Sequence, residues 1–349
     1  MIKDINESYI LQNKSLNNAF KSADLRDISE NCKILNTKFY LDSFNYFPIT
    51  NNNETFLNLF KREDDNSINH FYTEDFYNNF TDKKSNFKVI KDCVVLGSSP
   101  SDNYFSNLIH FLPRIFFIND KKINLTIHRN LSNKFRKLIE TICILRGIEI
   151  SFTYLDDAFY NFNNSSIPEF FHIKKSIKIL KFFLENALND IVVPKFKPKI
   201  YIRREDANYR KILNEADLIS KLRKLEFEII NPHHFEILEQ MKIFSNAELI
   251  LAPHGSNLSN IIFCRKDTKI IEISPDLNNL YEKNIANRYK DIADNLSLEF
   301  QTIKADSVDV VKHSELSKKY IHSKILKNSN YYKNMILKVS EIDKYFNNQ

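Results

Sequence analysis

Apolar runs of strand length alternate with helix-length segments along most of this chain, and that alternation restricts the fold more than any other feature. Within residues 193–305 the order is strand, helix, strand, helix, strand, helix, strand and a long helix, starting at KIYIRR. Within residues 89–192 a similar order begins with CVVLG, NYFSNLIHFLPRIFFI and INLTIHR. Repeated βα units predict parallel, doubly wound sheets, so the expected fold class is α/β with two Rossmann-like halves.

The chain has 349 residues, which exceeds the usual size of one hydrophobic core and favours two domains. The segment VVPKFKPK has no apolar periodicity and is typical of a linker. We predict a first domain over 1–192, made of an irregular extension (1–88) and an α/β core (89–192), and a second domain over 193–305. Lysine-rich helices in 306–349 are predicted to pack back against the first domain, with contact to an anionic membrane as the alternative.

The net charge of +6 and the sequence pI near 8.8 favour anionic partners. Lysines are spread over most predicted helices rather than clustered in one stripe, so nucleic acid is not an expected partner. The four cysteines are scattered and form no Cys-x-x-Cys motif, which favours reduced thiols over a zinc site. The N-terminus lacks a continuous apolar core, so we expect a cytoplasmic protein, at most peripheral on the inner face of the plasma membrane.

One of only three glycines, Gly255, stands in LAPHGSNLSN, between an apolar strand and a predicted helix start. The first N–H groups of such a helix attract anions, and a glycine allows positive φ and close approach of a ligand. His254 adds a donor, and further hydrogen bonds are expected from Ser256, Asn257 and Asn260. A tight turn without a ligand is the alternative interpretation.

Arginines follow the first predicted strand of the second domain, at Arg203, Arg204 and Arg210. At the carboxyl edge of a strand a guanidinium is placed for fork-like pairing with phosphate oxygens. The alternative is a solvated loop in which these arginines pair with Glu205 and Asp206.

These two stretches together resemble glycosyltransferase family 61, over residues from about 90 to about 305. The shared positions of the second domain, in the same order and spacing, are Tyr201, Ile202, Arg204, Arg210, Ile212 to Glu215, Pro253 to Gly255, Leu258, Asn260, Phe263 and Glu272. The block DNYFSNLIHFLPRI is similar to an N-terminal block of that family. It departs from the family at Ser106, which replaces a histidine, and at His110, which replaces a residue that is often acidic.

The resemblance implies a GT-B architecture with a cleft between two domains: an acceptor-binding domain followed by a domain that binds a nucleotide sugar. It implies inverting transfer, with a UDP-sugar as the expected donor and a surface polysaccharide or lipid-linked glycan as the expected acceptor in bacteria. The nucleotide sugar is a co-substrate, and no cofactor is expected. Because the sequence contains no Asp-x-Asp motif, we expect a metal-independent enzyme whose cations stabilise the departing diphosphate.

An inverting transfer needs a base for the acceptor hydroxyl, and the preferred candidate is His110. Asp102 is the next candidate; its alternative role is capping the helix that follows, and the alternative for His110 is a structural hydrogen bond. Glu272, after an apolar strand, is expected to accept hydrogen bonds from the nucleotide ribose. The change at Ser106 leaves open a catalytically silent relative that binds sugar nucleotides or glycans within a polysaccharide assembly complex.

Overall fold

The computed structural model describes the following residues: 2–3, 10–12, 33–43, 46–50, 55–56, 80, 83–97, 101–185, 187–205, 207–277, 280–308 and 330–346. The chain divides into two compact units, Met1–Phe183 and Leu184–Gln349. The predicted linker around Pro194 lies without regular structure inside the second unit, after a 3-10 helix at Ala187–Asp190.

The second unit is built on one twisted sheet whose first five strands are parallel, as predicted. Its spatial order is Glu228–Ile230, Lys199–Ile202, Leu249–Pro253, Lys269–Pro275, Glu299–Val308 and Asn334–Ile336. The central strands are almost entirely buried apolar runs, which is the pattern of a parallel strand covered on both faces.

Helices connect these strands where the sequence pattern predicts them: Glu215–Lys224, Ile237–Asn246 and Leu280–Leu296. The first has acidic residues in its first turn and basic residues in its last, which complements the helix dipole. A capping box of Glu236 and Glu239 starts the second. The helix predicted from Ser256 is a 3-10 helix, Ser256–Phe263, rather than an α-helix; another short one is Pro232–His234.

The C-terminal residues contradict the prediction that 306–349 packs as helices on the first domain. The strand Glu299–Val308 runs past residue 306, and Asn334–Ile336 pairs antiparallel with it at the edge of the second unit's sheet. Met335 and Leu337 are buried in that unit's core. Short helical turns complete the described part, at Asn330–Tyr332, Val339–Ile342 and Asp343–Phe346, and residues 309–329 lie outside the described ones.

The first unit contains a mixed sheet, so the prediction of a wholly parallel one is wrong there. Its spatial order is Ile10–Gln12, Lys33–Asp42, Phe159–Pro168, Val94–Val95, Lys122–His128 and Glu149–Leu155. Lys33–Asp42 runs antiparallel to Phe159–Pro168 and to Phe47–Thr50, whereas Lys88–Lys91 joins in parallel. The described part of the predicted irregular extension therefore supplies strands, among them Ile2–Lys3 and Thr55–Phe56, which pair separately.

Two full helices of the first unit confirm the predicted pattern, Asn133–Leu145 and Ile173–Leu184. Ser132 caps the first, and Gly147 ends it with a left-handed φ of 67°. The helix predicted for the block DNYFSNLIHFLPRI is present in three parts: α-helical turns at Tyr104–Ser106 and Leu112–Ile115, and a π-helical turn at Asn107–Phe111 between them. A separate 3-10 turn lies at Lys84–Asn86. No helix within the described ranges is long and apolar enough to span a bilayer.

Candidate functional site

The strand order of the second unit reverses between two neighbouring strands, Lys199–Ile202 and Leu249–Pro253. The first strand of the unit has the second, Glu228–Ile230, on one side and the third on the other. In open α/β sheets ligands bind beyond the carboxyl ends of the strands at such a switch point. Arg204 and Gly255 follow these two strands directly, so the sheet itself brings the two predicted stretches together.

Gly255 lies against the guanidinium of Arg204. A Cβ atom at position 255 would be 1.7 Å from Arg204 Nη1 and 2.8 Å from its Cζ. The φ angle of Gly255 is 179°, extended backbone that other residues also adopt, so a positive φ is not the reason for a glycine here. Close approach to an arginine is what requires a glycine here.

The adjacent arginines Arg203 and Arg204 have different partners. Arg203 pairs with Glu215 at 2.9 Å and with Glu205 at 3.3 Å. Arg204 forms no ion pair with any described acidic residue. The alternative of a solvated, acid-paired loop therefore describes Arg203 only, and Asp206 lies outside the described residues.

Arg204 carries a poorly compensated charge. Its Nη2 donates to the backbone oxygen of Tyr209 at 3.3 Å, and its buried Nε has no partner among the residues that the structure describes. Burial, followed by repulsion from Arg210, lowers the pKa of Arg204 to about 10. An anion placed beside this guanidinium would relieve both effects.

Arg210 is 4% exposed and is enclosed by tyrosine rings. Its Cζ lies 4.1 Å from the ring centroid of Tyr331 and 4.7 Å from that of Tyr209. Arg210 adopts a left-handed φ of 58°, which is uncommon for a residue with a branched or long side chain. Burial opposes its charge, but interaction with Tyr331 and Tyr209 outweighs that effect and raises the pKa of Arg210.

His254 and Glu272 form a buried pair at the carboxyl ends of adjacent strands. His254 Nδ1 lies 2.7 Å from Glu272 Oε1, and the two side chains are 1% and 3% exposed. The His254 N–H donates to the Ile273 oxygen at 2.7 Å, which fixes the backbone. The imidazole packs against the rings of Tyr289 and Tyr331 at centroid distances of 5.0 and 5.6 Å.

Burial favours the uncharged form of both members of this pair. It raises the pKa of Glu272 to about 8, although Arg210 and Lys304 act in the opposite direction. Burial, then the charges of Arg210 and Arg288, lowers the pKa of His254 well below 6.5. Both shifts favour the uncharged pair, in which the Glu272 carboxyl donates to His254 Nδ1 and Nε2 carries the imidazole hydrogen.

Three buried nitrogen atoms at this edge have no hydrogen-bond partner among the described residues: His254 Nε2, Arg204 Nε and Arg210 Nε. Buried donors in folded proteins are nearly always paired, so a group of three calls for an explanation. Two belong to guanidinium groups, and the third is a neutral donor. The arrangement is chemically suited to binding a ligand with several anionic oxygens.

The polar residues predicted to contact the ligand differ in exposure. Ser256 and Asn257, in the first turn of the 3-10 helix, are partly exposed, whereas Asn260 is fully buried. Ser259 donates to the Ser256 oxygen within the helix. Ser256 and Asn257 can reach a ligand directly, and Asn260 belongs to the core beneath the turn.

The predicted base residues lie in the first unit. His110 is 2% exposed and packs edge-on against Phe105 and Phe170, at centroid distances of 5.5 and 6.4 Å. Asp102 is exposed, and Asn103 rather than Asp102 caps the helix by accepting from the Ser106 N–H at 3.0 Å. The role of His110 or Asp102 as a base stays a prediction.

Four residues of the second-unit cluster were not predicted from the sequence: Arg288, Tyr289, Lys304 and Tyr331. Arg288 and Tyr289 lie on the helix Leu280–Leu296, inside an amphipathic pattern that gives no sign of a ligand. Tyr331 lies in 306–349, the segment that was predicted to form helices packed against the first domain. Within the described residues no group of three or more His, Cys, Asp or Glu side chains is placed to hold a metal ion.

Comparison with known proteins identifies the family of this chain. The sequence profile of the family Glycosyltransferase 61 matches residues 104–271. A search of curated proteins gave no match. The matched region contains Arg204, Arg210, His254 and Gly255 and ends one residue before Glu272. Residues 104–271 therefore carry a glycosyltransferase family 61 domain, and Arg204, Arg210 and His254 lie within it.

Proposed function

We propose that the protein transfers a sugar from a nucleotide-sugar donor, a UDP-sugar, to a hydroxyl group of a glycan or lipid-linked glycan in surface-polysaccharide synthesis. The observation that supports donor binding is the group of unsatisfied nitrogens of Arg204, Arg210 and His254 at the strand switch point. A nucleotide diphosphate offers the anionic oxygens that these groups lack. In this proposal the two units are the domains of a GT-B enzyme, and the second binds the donor.

Departure of a nucleotide diphosphate builds negative charge on its terminal phosphate. Buried guanidinium groups fixed before the reaction stabilise such charge more strongly than solvated ones. Arg204 and Arg210 would supply this stabilisation, and His254 would donate a hydrogen bond from Nε2. We propose that these cations take the place of a divalent metal in the reaction.

Inverting transfer also requires removal of the acceptor proton in a single displacement. His110 is the candidate base that we retain, with Asp102 as the second. An imidazole can accept a proton near neutral pH, and the close packing of His110 by Phe105 and Phe170 would have to open toward the acceptor.

The proposal is tested by incubating the protein with UDP-, GDP- and dTDP-sugars and oligosaccharide acceptors, and detecting the released nucleotide diphosphate and the glycosylated product. We expect turnover with one nucleotide class, retained in excess EDTA and lost in Arg204→Gln. Product NMR should show the anomeric configuration inverted.

Three outcomes would change the proposal. Binding of a nucleotide sugar without release of diphosphate would support the catalytically silent alternative. Turnover that is unaffected by Arg204→Gln would show that the donor binds elsewhere. Loss of turnover in EDTA that added Mg²⁺ or Mn²⁺ restores would overturn the metal-independent mechanism alone.

A further inference from the structure

Arg210 is held in place by a segment that is about 120 residues away in sequence. The Arg210 N–H donates to the Lys333 oxygen at 3.1 Å, and the Lys211 N–H donates to Asn334 Oδ1 at 3.0 Å. The Met335 N–H returns a bond to the Lys211 oxygen at 2.8 Å. Residues 330–337, here called the C-terminal strap, therefore run beside the Arg210 loop as an additional strand would.

The strap is also hydrogen-bonded to the residue that precedes the helix Glu215–Lys224 and to the end of a sheet strand. The Asn214 side chain donates to the Leu337 oxygen at 2.8 Å and accepts from its N–H at 3.0 Å. Asn330 Nδ2 donates to the Asp276 oxygen at 2.8 Å, just beyond the strand that carries Glu272. Met335 is fully buried. These contacts leave the strap little freedom to move away from the site.

The strap places the Tyr331 ring against the guanidinium of Arg210, with 4.1 Å from Cζ to the ring centroid. Tyr209 lies at 4.7 Å, and the Tyr332 ring meets Tyr331 and Tyr209 edge-on at 5.3 and 5.0 Å. Rings that cover the flat surface of a guanidinium leave its edge N–H groups for a ligand. Arg210 Nε is such an edge group, and no described residue accepts from it.

We propose that the C-terminal strap completes the donor site and that the Tyr331 ring is a positioning group, which holds the Arg210 fork edge-on to the diphosphate of the donor. This inference rests on the proposed donor site and extends it beyond the family match, which ends at residue 271. Tyr331 also packs against His254 at 5.6 Å, so one ring orients two of the three unsatisfied donors.

The charge environment agrees with this role. Burial would raise the pKa of the Tyr331 hydroxyl, but the positive charges of Arg210, Arg288 and Arg204 outweigh burial and lower it. The phenol therefore lies in the same positive field that is expected to attract the diphosphate. Its hydroxyl also forms a hydrogen bond with the Arg210 side chain, so a variant that keeps the ring is needed to measure what the ring contributes.

The test is isothermal titration of UDP and of inorganic pyrophosphate into the full chain and its variants. Pyrophosphate reports the diphosphate contacts without the base. Tyr331→Leu should weaken the binding of both ligands about 10- to 30-fold, because a desolvated cation–π contact is lost. Tyr331→Phe, which keeps the ring, should stay within about threefold of the wild type.

Two further variants separate positioning from general loss of structure. Tyr345→Leu removes a tyrosine of the same C-terminal region whose hydroxyl donates to the Thr302 oxygen at 3.4 Å, and it should leave binding unchanged. Tyr209→Leu removes the second ring, which lies outside the strap and contacts it through Tyr332, and it should weaken binding in the same direction as Tyr331→Leu. In an Arg210→Lys background, Tyr331→Leu should weaken binding clearly less than in the wild type, because the planar fork is already lost and only the contact of the ring with His254 remains to be removed.

The outcomes distinguish this inference from the proposed function. Wild-type protein that binds neither ligand would overturn the donor site and the strap's role with it. Wild-type binding together with unchanged affinity in folded Tyr331→Leu and Tyr209→Leu would overturn the strap's role alone. Equal losses from Tyr331→Leu in the wild-type and the Arg210→Lys backgrounds would show that the ring does not act through Arg210.

Discussion

Both units bury arginine side chains, but they satisfy them in different ways. In the first unit Arg114 is fully buried and donates to the backbone oxygens of Gly97, at 2.9 Å, and Pro168. Its guanidinium also lies 4.1 Å from the Phe170 ring centroid. In the second unit the acceptors lie farther away: the Arg204 side chain donates to the Tyr209 oxygen at 3.3 Å, and the Arg210 side chain donates to the Tyr331 oxygen at 3.4 Å.

The difference indicates what each arginine does. Arg114 ties the helix Leu112–Ile115 to Gly97 and to the end of the strand Phe159–Pro168, so its role in the folded unit is structural. A buried donor without an acceptor costs about 1–3 kcal/mol, and such a cost persists mainly where a ligand can remove it. Arg204 and Arg210 lie with His254 at the strand switch point, and we propose that they contact the donor there, although all three arginines lie in the region that the family match covers.

Gly255→Val should have the largest effect on function. The new Cβ would occupy the position of Arg204 Nη1, at 1.7 Å, and because that atom ends a flexible side chain, the arginine would move rather than the fold. Arg204 would lose its charge-assisted contacts with the ligand, and the ligand could no longer approach the backbone at position 255. Together these losses should weaken UDP binding at least about 100-fold.

Calorimetry of UDP binding and thermal unfolding would check this expectation. Gly147→Val is the matched control, because Gly147 has a φ of 67° and open space around its Cβ position. That control should lose stability and keep affinity. A Gly255→Val protein that binds UDP normally would contradict the close approach of Arg204.

Arg114→Met should lower the stability of the protein without changing its affinity for UDP. It leaves the Gly97 and Pro168 oxygens buried without a donor, so the free energy of unfolding should fall by about 2–4 kcal/mol. Urea unfolding of the full chain measures the loss. Affinity of the folded protein for UDP should not change; a selective loss of affinity at normal stability would make Arg114 a ligand-binding residue.

Arg204→Gln and Arg203→Gln form a neighbouring pair with opposite expectations. Arg204→Gln should weaken UDP binding about 10- to 100-fold with little loss of stability, because it removes a charge that has no ion-pair partner among the described residues. Arg203→Gln breaks the contact with Glu215 at 2.9 Å and should lower stability by about 1 kcal/mol or less while affinity is retained.

Titration calorimetry and thermal unfolding of both variants separate these effects. If Arg203→Gln lost affinity as strongly as Arg204→Gln, binding would depend on the summed charge of the loop. The specific contact between Arg204 and Gly255 would then not be needed.

Much of the second unit and its site could be predicted from the sequence. Parallel strands that alternate with helices end at the same edge, so Arg204, Arg210, His254, Gly255 and Glu272 had to come near one another once the βα pattern was recognised. Which arginine meets the glycine depends on side-chain direction after the strand, and the pattern does not specify that direction.

The unpredicted parts depend on contacts between distant residues. The strand Phe159–Pro168 contains four asparagine and serine residues in a row, types that are depleted in strands, and its pairing with Lys33–Asp42 overrides that preference. Tyr331 reaches the site through backbone bonds to the Arg210 loop. A lysine-rich amphipathic pattern gave no sign of those bonds.

The smallest expected effect concerns the proton held by the buried pair of the second unit. The pKa of Glu272 is about 8 when folded against 4.5 as its ordinary value, so between these values the folded state binds a proton that the unfolded state has released. Stability must then fall as pH rises. His254 has a lowered pKa in the folded state, so below about pH 6.5 the unfolded state binds a proton that the folded state does not. The contribution of His254 to stability therefore rises with pH in that range, opposite to the contribution of Glu272.

Below about pH 6.5 the effect of His254 on stability opposes that of Glu272, and only that of Glu272 acts from about 6.5 to 8. Wild-type protein should therefore lose about 1–2 kcal/mol of unfolding free energy across the upper window. The unfolding free energy of Glu272→Gln should not change with pH in that window, and it should fall as the pH drops below about 6.5, where His254 is the only member of the pair that titrates. Urea unfolding at half-unit pH steps measures both; a variant as steep as the wild type above pH 6.5 would mean that the folded protein does not hold its proton on Glu272.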